Sequence, residues 1–468
     1  MQNTRYILRF TRKCNLKRAS FASAVLVSVY AVSAQVRQLP AFSGADGAAR
    51  FASGGRGGIV YHVTKLNSAI DDPERNTPGT LLYGLTQLSG PRTIVFDVAG
   101  VFHFGKMDTT NWTSGGNAWD AASRQSISGN NITIAGQTAP GPVVIMGGSL
   151  KPSGSNIIIR HITIAPGYGM RGFWEPDMGT NPPTPGTLPT SYTMDAMDIS
   201  GQTIMIDHVD AFFATDETIS CNENARNLTV QHCICALAQN YNQHSYGHLL
   251  GAGTDYKVCF VRNLDAHIRG RLPRIGSEVG LGPLNDFRNN VFYNWLGTAG
   301  YSGSSQPSKN NFIHNFYLAG PGGDSDWDST EAGGTGIFSG SAGYTYAFVS
   351  GNLKDINKDG DPNDAVSADS SYSSIVGQPS AYDIDIGVTL SARDAFTNVL
   401  RYAGARWWER DYDFTVGNTN AIDTISERVI HDVITGKGRI QAWADDPFNL
   451  SGTYQVQGAY EGAEWRAL

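Results

Sequence analysis

Three carboxylates and a cluster of arginines, all between residues 195 and 276, are side chains that could perform chemistry together. Asp195 opens this stretch, and Asp216 and Glu217 follow it. The stretch closes on three arginines around a proline, Arg269, Arg271 and Arg274. Carboxylate oxygens are hard ligands that suit Ca²⁺, and guanidinium groups pair with anions. We therefore expect a site for an anionic ligand, held in part through a metal ion.

Short β-branched and apolar segments separate these polar groups and recur along the chain. Successive copies begin roughly 24 to 30 residues apart, with one longer gap. The copies are Asn131–Ala135, Asn156–Ile164, Thr203–Val209, Asn227–Ile234, Tyr256–Asn263, Phe287–Asn294 and Asn310–Tyr317. A period in this range indicates a solenoid, in which each repeat packs on its neighbours.

The repeats are β segments joined by Gly, Asn and Ser turns, without a helix long enough for a leucine-rich repeat. We predict an all-β fold, a right-handed parallel β-helix forming a single solenoid. A β-sandwich or a propeller is the alternative, but propeller blades are longer, at about 40 to 50 residues. Asn at the start of several repeats fits a turn position with left-handed backbone.

One position of the repeat favours histidine. His161, His208 and His232 occupy the same place in their own repeats, and His314 is similar. This recurrence predicts a structural ladder. We therefore expect Asp207 and His208 to stabilise the solenoid and not to take part in chemistry.

Composition is consistent with a large, turn-rich β protein. The chain has 468 residues, 41% of them hydrophobic, and 54 glycines. Four cysteines lie in the central stretch, Cys221, Cys233, Cys235 and Cys259. Their spacing does not suggest zinc, and both a disulfide and stacked buried thiols remain open.

Residues 1–34 have the composition of an export signal. Six basic residues precede the short apolar run Ala19–Ala34, which ends in the small-residue pattern Val32–Ala34. An uncleaved anchor is the alternative. Cleavage after Ala34 would leave 29 basic and 42 acidic residues in one domain, 35–468. Such an acidic surface argues against nucleic acid as the main partner, and we expect a secreted monomer that is not membrane-bound.

Three further segments carry expectations. The proline-rich insertion Trp174–Tyr192 predicts an exposed loop beside the site. Helical periodicity at Ala395–Ala403 and Ala421–Thr435 predicts a C-terminal segment that packs along the solenoid or caps it. Asp355–Asp361 resembles the first half of an EF-hand loop, but Val366 stands at the twelfth position. An ion site and an ordinary Asx-turn loop both remain open there.

An ordered set of motifs resembles the pectate lyase family of polysaccharide lyases, whose members have a parallel β-helix. The matching segments are Ala52–Gly58, Val63–Leu66, Gly79–Tyr83, Arg92–Gly100, Thr133–Gly141, Ile206–His208, Thr215–Ser220 and Arg271–Arg274. The resemblance implies cleavage of an acidic polysaccharide, pectate by default, with Ca²⁺ as cofactor.

The resemblance also implies roles for single residues. Asp195 and Asp216 match calcium ligands, and Arg271 matches the arginine regarded as the base. The family's third carboxylate falls on Ser220, so Glu217 would substitute. The family's substrate-binding lysine falls on Tyr246. The second arginine falls on Gly276.

The chemistry would be β-elimination. A uronate in a polymer loses its C5 proton and expels the C4 oxygen, leaving an unsaturated sugar, and fixed positive charges stabilise the transition state. Arg271 as base would need a depressed pKa, which we expect from the crowding of Ca²⁺, Arg269 and Arg274. Substrate contacts are expected from Arg269, Arg274, Tyr246, His244 and His248.

Several alternatives stay open. Tyr246 could protonate the leaving oxygen, with His244 or His248 as base. Loss of the lysine leaves room for a lyase of another uronate polymer, or for a non-catalytic glycan-binding protein. A hydrolase would need two suitably spaced carboxylates, which Asp195 and Asp216 could mimic.

Overall fold

The computed structural model describes residues 38–105, 122–167, 194–240, 244–277, 280, 282–324, 330–384, 386–410 and 425–442. The leader, residues 1–34, and the insertion Trp174–Tyr192 lie outside these residues. Residues from Leu39 onward belong to one compact unit. Within the described residues, no helix is both long and apolar enough to cross a membrane.

Three long sheets form the molecule, and the chain visits them in the same order in every turn. We name them sheets A, B and C in that order. Sheet A has eleven parallel strands: β1 Ile59–Val63, β2 Arg92–Phe96, β5 Ile132–Ala135, β8 Ser155–Arg160, β11 Gln202–Asp207, β14 Arg226–Gln231, β18 Lys257–Val261, β21 Leu284–Arg288, β24 Ser308–Ile313, β29 Thr345–Ser350 and β33 Val376–Gly377.

Sheets B and C complete each turn. Sheet B contains β3 Gly100–His103, β6 Val143–Met146, β9 Thr163–Ala165, β12 Asp210–Phe212, β15 Ile234–Ala236, β19 Leu264–Ala266, β22 Val291–Tyr293, β25 Phe316–Leu318, β30 Leu353–Asp355 and the antiparallel β31 Val366–Ser367. Sheet C contains β4 Arg124–Ile127, β7 Ser149–Pro152, β10 Met197–Ile199, β13 Ile219–Cys221, β17 Leu249–Leu250, β20 Arg274–Ile275, β23 Thr298–Ser302, β28 Gly336–Ser339 and β32 Tyr372–Ser373. This arrangement is a parallel β-helix and confirms the predicted fold.

Two small sheets of the described part of the chain lie outside the solenoid. β16 Gln239–Asn240 pairs in parallel with β34 Gln441–Ala442, and β26 Gly322–Asp324 pairs antiparallel with β27 Thr330–Ala332. Single 3₁₀ turns occur at Gly136–Thr138, Pro362–Asp364, Asp369–Ser371 and Trp407–Glu409.

The corners explain why the repeats begin and end where they do. Residues at the start of sheet A strands adopt left-handed backbone, with φ of 58° at Asn131, 59° at Asn156 and 53° at Asn227. This confirms the turn expected from Asn at the start of the repeats, because Asn tolerates this region better than most residues.

The core is the interior of the solenoid, where equivalent side chains of successive turns stack in rows. One row runs through Ile134, Ile159, Ile206, Val230, Phe260, Phe287 and Phe312, all buried. Each such side chain contributes about 1.5 to 3 kcal/mol by leaving water. All four cysteines in the described residues are buried and free, so they act as core thiols.

Within the described ranges, three α-helices accompany the strands. α1, Leu81–Thr86, follows β1, whereas α2, Ala392–Tyr402, and α3, Ile425–Thr435, pack on the outer face of sheet B. Ser391 caps α2 by accepting a hydrogen bond from the backbone of Asp394 at 3.1 Å. Val399 of α2 and Val429 of α3 bury their side chains in this contact.

Candidate active site

The predicted site residues gather at one edge of the solenoid, where the chain passes from sheet B to sheet C; we call this edge the B–C corner. Asp195 precedes β10, Glu217 precedes β13 and Arg271 precedes β20. Tyr246, before β17, pairs by backbone with Glu217 on one side and with Gly270 on the other. Because neighbouring turns of a sheet are about 4.8 Å apart, residues distant in sequence become neighbours here.

The three carboxylates form one cluster. One oxygen from each of Asp195, Asp216 and Glu217 lies within 4.8 Å of the others. The Glu217 backbone N–H donates to Asp195 Oδ1 at 3.2 Å, and the Ser220 hydroxyl donates to Asp195 Oδ2. Burial raises the pKa of Asp195 well above its usual value, and the charges of Glu217 and Asp216 raise it further.

A divalent cation would neutralise the mutual repulsion of these three carboxylates. The donors are hard oxygens, which Ca²⁺ prefers, and three acidic groups share one site. The residues present therefore fit a calcium ion. Glu217 belongs to the cluster, and Ser220 acts as a hydrogen-bond donor to Asp195 instead of as a further anionic ligand.

Arg271 lies at the centre of the B–C corner with left-handed backbone, at φ 57°. Its Nη1 pairs directly with Glu217 Oε1. Its guanidinium carbon lies 3.9 Å from the centre of the Tyr246 ring, a cation–π distance. The Arg271 side chain is 18% exposed and that of Glu217 only 4%, so Arg271 is the member of the pair that faces solvent.

The expected depression of the Arg271 pKa requires a bound Ca²⁺ ion and stays a prediction. Burial alone would lower this pKa, but the charge of Glu217 and the hydroxyl of Tyr301 outweigh burial and raise it above its usual value. Glu217 is an acidic partner of Arg271 that the sequence did not indicate.

The remaining predicted substrate contacts divide into two groups. Arg269 lies at the same corner and Arg274 lies in β20, both half-buried. The His244 ring lies edge-on to the Tyr246 ring, with centroids 5.2 Å apart. His244 thus lies beside the Tyr246 ring that contacts Arg271, and Arg269 and Arg274 flank Arg271 in the chain.

His248 does not join them. Its side chain is 2% exposed and points into the solenoid, where Nε2 lies 2.8 Å from Asp265 Oδ1 and Nδ1 lies 3.0 Å from the Ile219 carbonyl oxygen. Both ring nitrogens are thus engaged inside the core, so the expected contact of His248 with substrate is not supported. Its backbone N–H does support the site, because it donates to the Arg271 carbonyl at 2.7 Å.

Two residues near the site were not predicted from the sequence. Tyr301 in β23 is the register partner of Arg274 and hydrogen-bonds the Arg271 side chain. Lys151 in β7 pairs with Asp198 in β10 at 2.8 Å on the outer face of sheet C, next to Asp195. The available signal was register, since an outward position in one strand of sheet C predicts an outward position in the next.

The sequence is similar to those of known proteins. No protein-family model matches the chain. The chain is 32% identical over 392 residues to a probable pectate lyase C of Neosartorya fischeri, which covers 82% of this chain and 77% of that protein. A probable pectate lyase C of Aspergillus fumigatus matches with the same identity and the same coverage.

Solved structures share the fold at low sequence identity. The major allergen Jun a 1 of cedar pollen superposes with a TM-score of 0.52 at 17% identity, over 77% of this chain and 92% of the allergen. A pectate lyase of Acidovorax avenae subsp citrulli gives a TM-score of 0.51 at 14% identity, over 77% and 94% of the two chains. From the sequence identity over most of both chains, we conclude that this chain belongs to the pectate lyase family of polysaccharide lyases.

Proposed function

We propose that this chain is a calcium-assisted lyase that cleaves pectate, or polygalacturonate, by β-elimination. The observation that carries the proposal is the contact between Arg271 and a cluster of three carboxylates on an outward corner. The names of the fungal relatives, probable pectate lyase C, support the choice of substrate.

The carboxylate cluster would bind the ion through Asp195, Asp216 and Glu217. Calcium held there would supply a positive charge that binds a substrate carboxylate and stabilises the negative charge developing on it. Ser220 supports this arrangement by fixing the Asp195 carboxylate through its hydroxyl. The raised pKa of Asp195 in the ion-free protein supports a site whose charge is balanced only with a cation.

Arg271 would remove the C5 proton of the uronate. As long as Glu217 pairs with Arg271, the guanidinium keeps its proton, because Glu217 raises its pKa. When Glu217 instead ligates a cation, Arg271 loses this contribution, and burial lowers its pKa while Tyr301 alone still raises it. We therefore assign Glu217 two alternative partners, the ion and Arg271. The Tyr246 ring holds the guanidinium plane from one face.

Substrate would be oriented by the side chains around this cluster. Arg269 and Arg274 carry the positive charge that an anionic polymer requires, since the surface as a whole is acidic. Tyr246 and His244 offer aromatic faces and polar atoms beside them. We also propose that the protein acts after export, on the composition of residues 1–34.

A second substrate class follows from one observation. Tyr246 stands where the family has a substrate-binding lysine, and it contacts Arg271 instead of supplying a charge. A uronate polymer other than polygalacturonate is therefore the second candidate substrate.

Product analysis tests the proposal. The protein is incubated with polygalacturonate and with other uronate polymers, in CaCl₂ and in chelator, and ultraviolet absorbance and product mass are recorded. Calcium-dependent absorbance from a conjugated unsaturated uronate on polygalacturonate is the expected result. The same signal on another polymer alone would reassign the substrate. Saturated products would mean hydrolysis, and binding without products would mean a glycan-binding protein.

A further inference from the structure

A second acidic cluster lies in the loop that follows β30, three turns of the solenoid beyond Arg271. Asp355, Asn357 and Asp359 occupy alternate positions, and Gly360 follows with φ 81°. One oxygen from each of Asp355, Asp359 and Asp364 lies within 4.8 Å of the others. This cluster shares no residue with the candidate active site.

Asp355 supplies an independent reason to expect a ligand. It is 3% exposed, and its Oδ2 atom is buried without a hydrogen-bond partner among the described residues. Its other oxygen accepts only a 3.2 Å hydrogen bond from the Asn357 backbone. Burial raises the pKa of Asp355, and the nearby carboxylates of Asp364 and Asp359 raise it further. A buried carboxylate oxygen that faces other carboxylates is costly unless a cation or a proton neutralises it.

Two basic side chains near the loop, Arg393 and Lys358, donate to backbone carbonyl oxygens and not to the carboxylates. Arg393 in α2 donates to the carbonyl oxygens of Pro362 at 3.1 Å, Asn363 at 3.0 Å and Ala365 at 3.1 Å. Lys358 donates to the Gly333 carbonyl at 2.5 Å. The carboxylate cluster is therefore not neutralised by these two side chains.

Asn357 marks the position that a cation would take. Its Nδ2 lies 2.9 Å from Asp359 Oδ2 and 2.6 Å from Asp364 Oδ2, between the two carboxylates. A half-turn of the amide would present Oδ1 at the same place, since the two ends of an asparagine amide have the same shape, in exchange for the 2.9 Å hydrogen bond that Oδ1 accepts from the Asp359 backbone N–H. The loop would then offer four side-chain oxygens around one point.

We propose that this loop binds a structural calcium ion through Asp355, Asn357, Asp359 and Asp364, with water completing the shell. Four oxygens, three of them anionic, suit Ca²⁺, which accepts six to eight oxygens in flexible geometry. The loop is not an EF-hand. Val366 at the twelfth position is exposed, and Asp364, at the tenth, supplies the last carboxylate.

The ion would fasten the C-terminal helices to the solenoid. Arg393 joins α2 to the loop through the three carbonyl contacts. Gly360 lies against the end of α3, where an added Cβ would be 3.4 Å from the Thr435 carbonyl oxygen. A loop fixed by an ion therefore holds both helices, and calcium raises stability independently of catalysis.

The test uses the full chain, depleted of metal with chelator and then titrated with CaCl₂. Ion stoichiometry is measured by calorimetry and Tm by thermal unfolding, for wild type, for Asp359→Asn with Asp364→Asn, and for Asp361→Asn. The Asp361 variant is the matched control, because Asp361 lies in the same loop but caps Asn363 at 3.0 Å, outside the cluster. Turnover at saturating calcium is measured in parallel.

The double variant should bind one calcium ion fewer and lose about 2 to 4 °C of the calcium-induced rise in Tm. Its calcium-free Tm should equal or exceed that of calcium-free wild type, because repulsion is removed, and this separates ion loss from misfolding. Its turnover should stay within about twofold of wild type. Asp364→Asn alone serves if the double variant does not fold. Unchanged stoichiometry in the double variant, or equal loss in Asp361→Asn, would overturn the proposal.

Discussion

Two corners of the solenoid, on either side of sheet B, both carry charged and polar residues but differ in whether a residue type repeats from turn to turn. At the A–B corner, between sheets A and B, successive turns place the same residue type at the same position. The rings of His161, His208 and His232 stack there with centroids 4.9 Å apart, which confirms the predicted ladder. At the B–C corner the residue type changes from turn to turn, through Asp195, Glu217 and Tyr246 to Gly270.

One aspartate from each corner makes the difference explicit. At the A–B corner, Asp207 accepts hydrogen bonds from the Arg160 Nε at 2.6 Å and the Gln231 amide at 2.6 Å, and the His208 Nδ1 lies 2.8 Å from its carboxylate. Burial alone would raise the pKa of Asp207, but His208 and Arg160 outweigh it and lower the pKa. Asp195 at the B–C corner has carboxylates as its neighbours, and its pKa is raised.

In this solenoid, stability and function depend on different corners. A side chain repeated in each turn can stack and pair with its own copies, so its cost of burial is met within the fold. The asparagines after the A–B corner do the same, since Asn263, Asn290, Asn315 and Asn352 hydrogen-bond in a buried row at 2.9 to 3.1 Å. A position that breaks the repetition is left to serve a ligand.

Removing the metal ligands should have the largest effect at the B–C corner. Asp195→Asn with Asp216→Asn should lower turnover at least about 100-fold at fixed calcium, because the substrate carboxylate loses its cationic partner. The matched control is Asp359→Asn with Asp364→Asn, which removes the same charge from the other acidic cluster and should leave turnover near wild type. Near-wild-type turnover in the Asp195/Asp216 variant would contradict a catalytic role for the B–C corner.

Arg160→Ala should show the opposite behaviour at the A–B corner. It removes a partner from Asp207, whose side chain is fully buried, and should lower the free energy of unfolding by about 3 kcal/mol. Turnover per folded molecule should not change. Urea denaturation measures the loss, with the exposed Arg226→Ala, expected within about 0.5 kcal/mol, as control. Equal losses in the two variants would contradict a paired, buried Asp207.

Stability as a function of pH should separate the two aspartates by sign. The pKa of Asp207 is lowered by folding, so its ionised form stabilises the protein above the unfolded pKa of about 3.9, and this contribution is lost as pH falls through the folded pKa. Asp207→Asn should therefore lower Tm at neutral pH, with a deficit that shrinks in acid.

Asp195 should give the reverse result in calcium-free buffer. Its pKa is raised by folding, so stability falls as pH rises from about 3.9 through the folded pKa. Asp195→Asn should raise Tm at neutral pH and leave it unchanged at low pH. Tm shifts of the same sign in the two asparagine variants would show that the two environments do not differ as described.

Tyr246 should give the smallest effect. Tyr246→Phe keeps the ring beside Arg271, so turnover should stay within about threefold of wild type, whereas Tyr246→Ala loses the cation–π contact and should fall about tenfold. Initial rates on polygalacturonate measure both. A loss above about 100-fold in the phenylalanine variant would assign proton transfer to the hydroxyl instead.

The sequence predicted what repetition and composition determine. Repeated β segments that start at Asn131, Asn156 and Asn227 indicated the solenoid, because a fixed period requires stacked units. Asp195, Asp216 and Glu217 could be grouped as the acidic residues of one stretch and by the family resemblance, and their carboxylates do lie together.

The rest depended on side-chain direction at the corners. His248 lies only two residues from Tyr246, yet it points into the core, since the alternation of a strand does not hold across a corner. The pairing of Arg271 with Glu217 joins residues two turns apart, and no local pattern specifies it. That pairing raises the Arg271 pKa.

The most direct test of the account is the rate of ultraviolet absorbance increase on polygalacturonate with CaCl₂, for wild type and Arg271→Ala. We expect wild type to form the unsaturated uronate and the variant to be slower by at least about 1,000-fold, because it lacks the base. In CaCl₂ its Tm should stay close to that of wild type, since the buried Glu217 carboxylate would then pair with the ion in place of Arg271. A wild-type rate in Arg271→Ala would contradict the assignment of the B–C corner as the catalytic centre with Arg271 as its base.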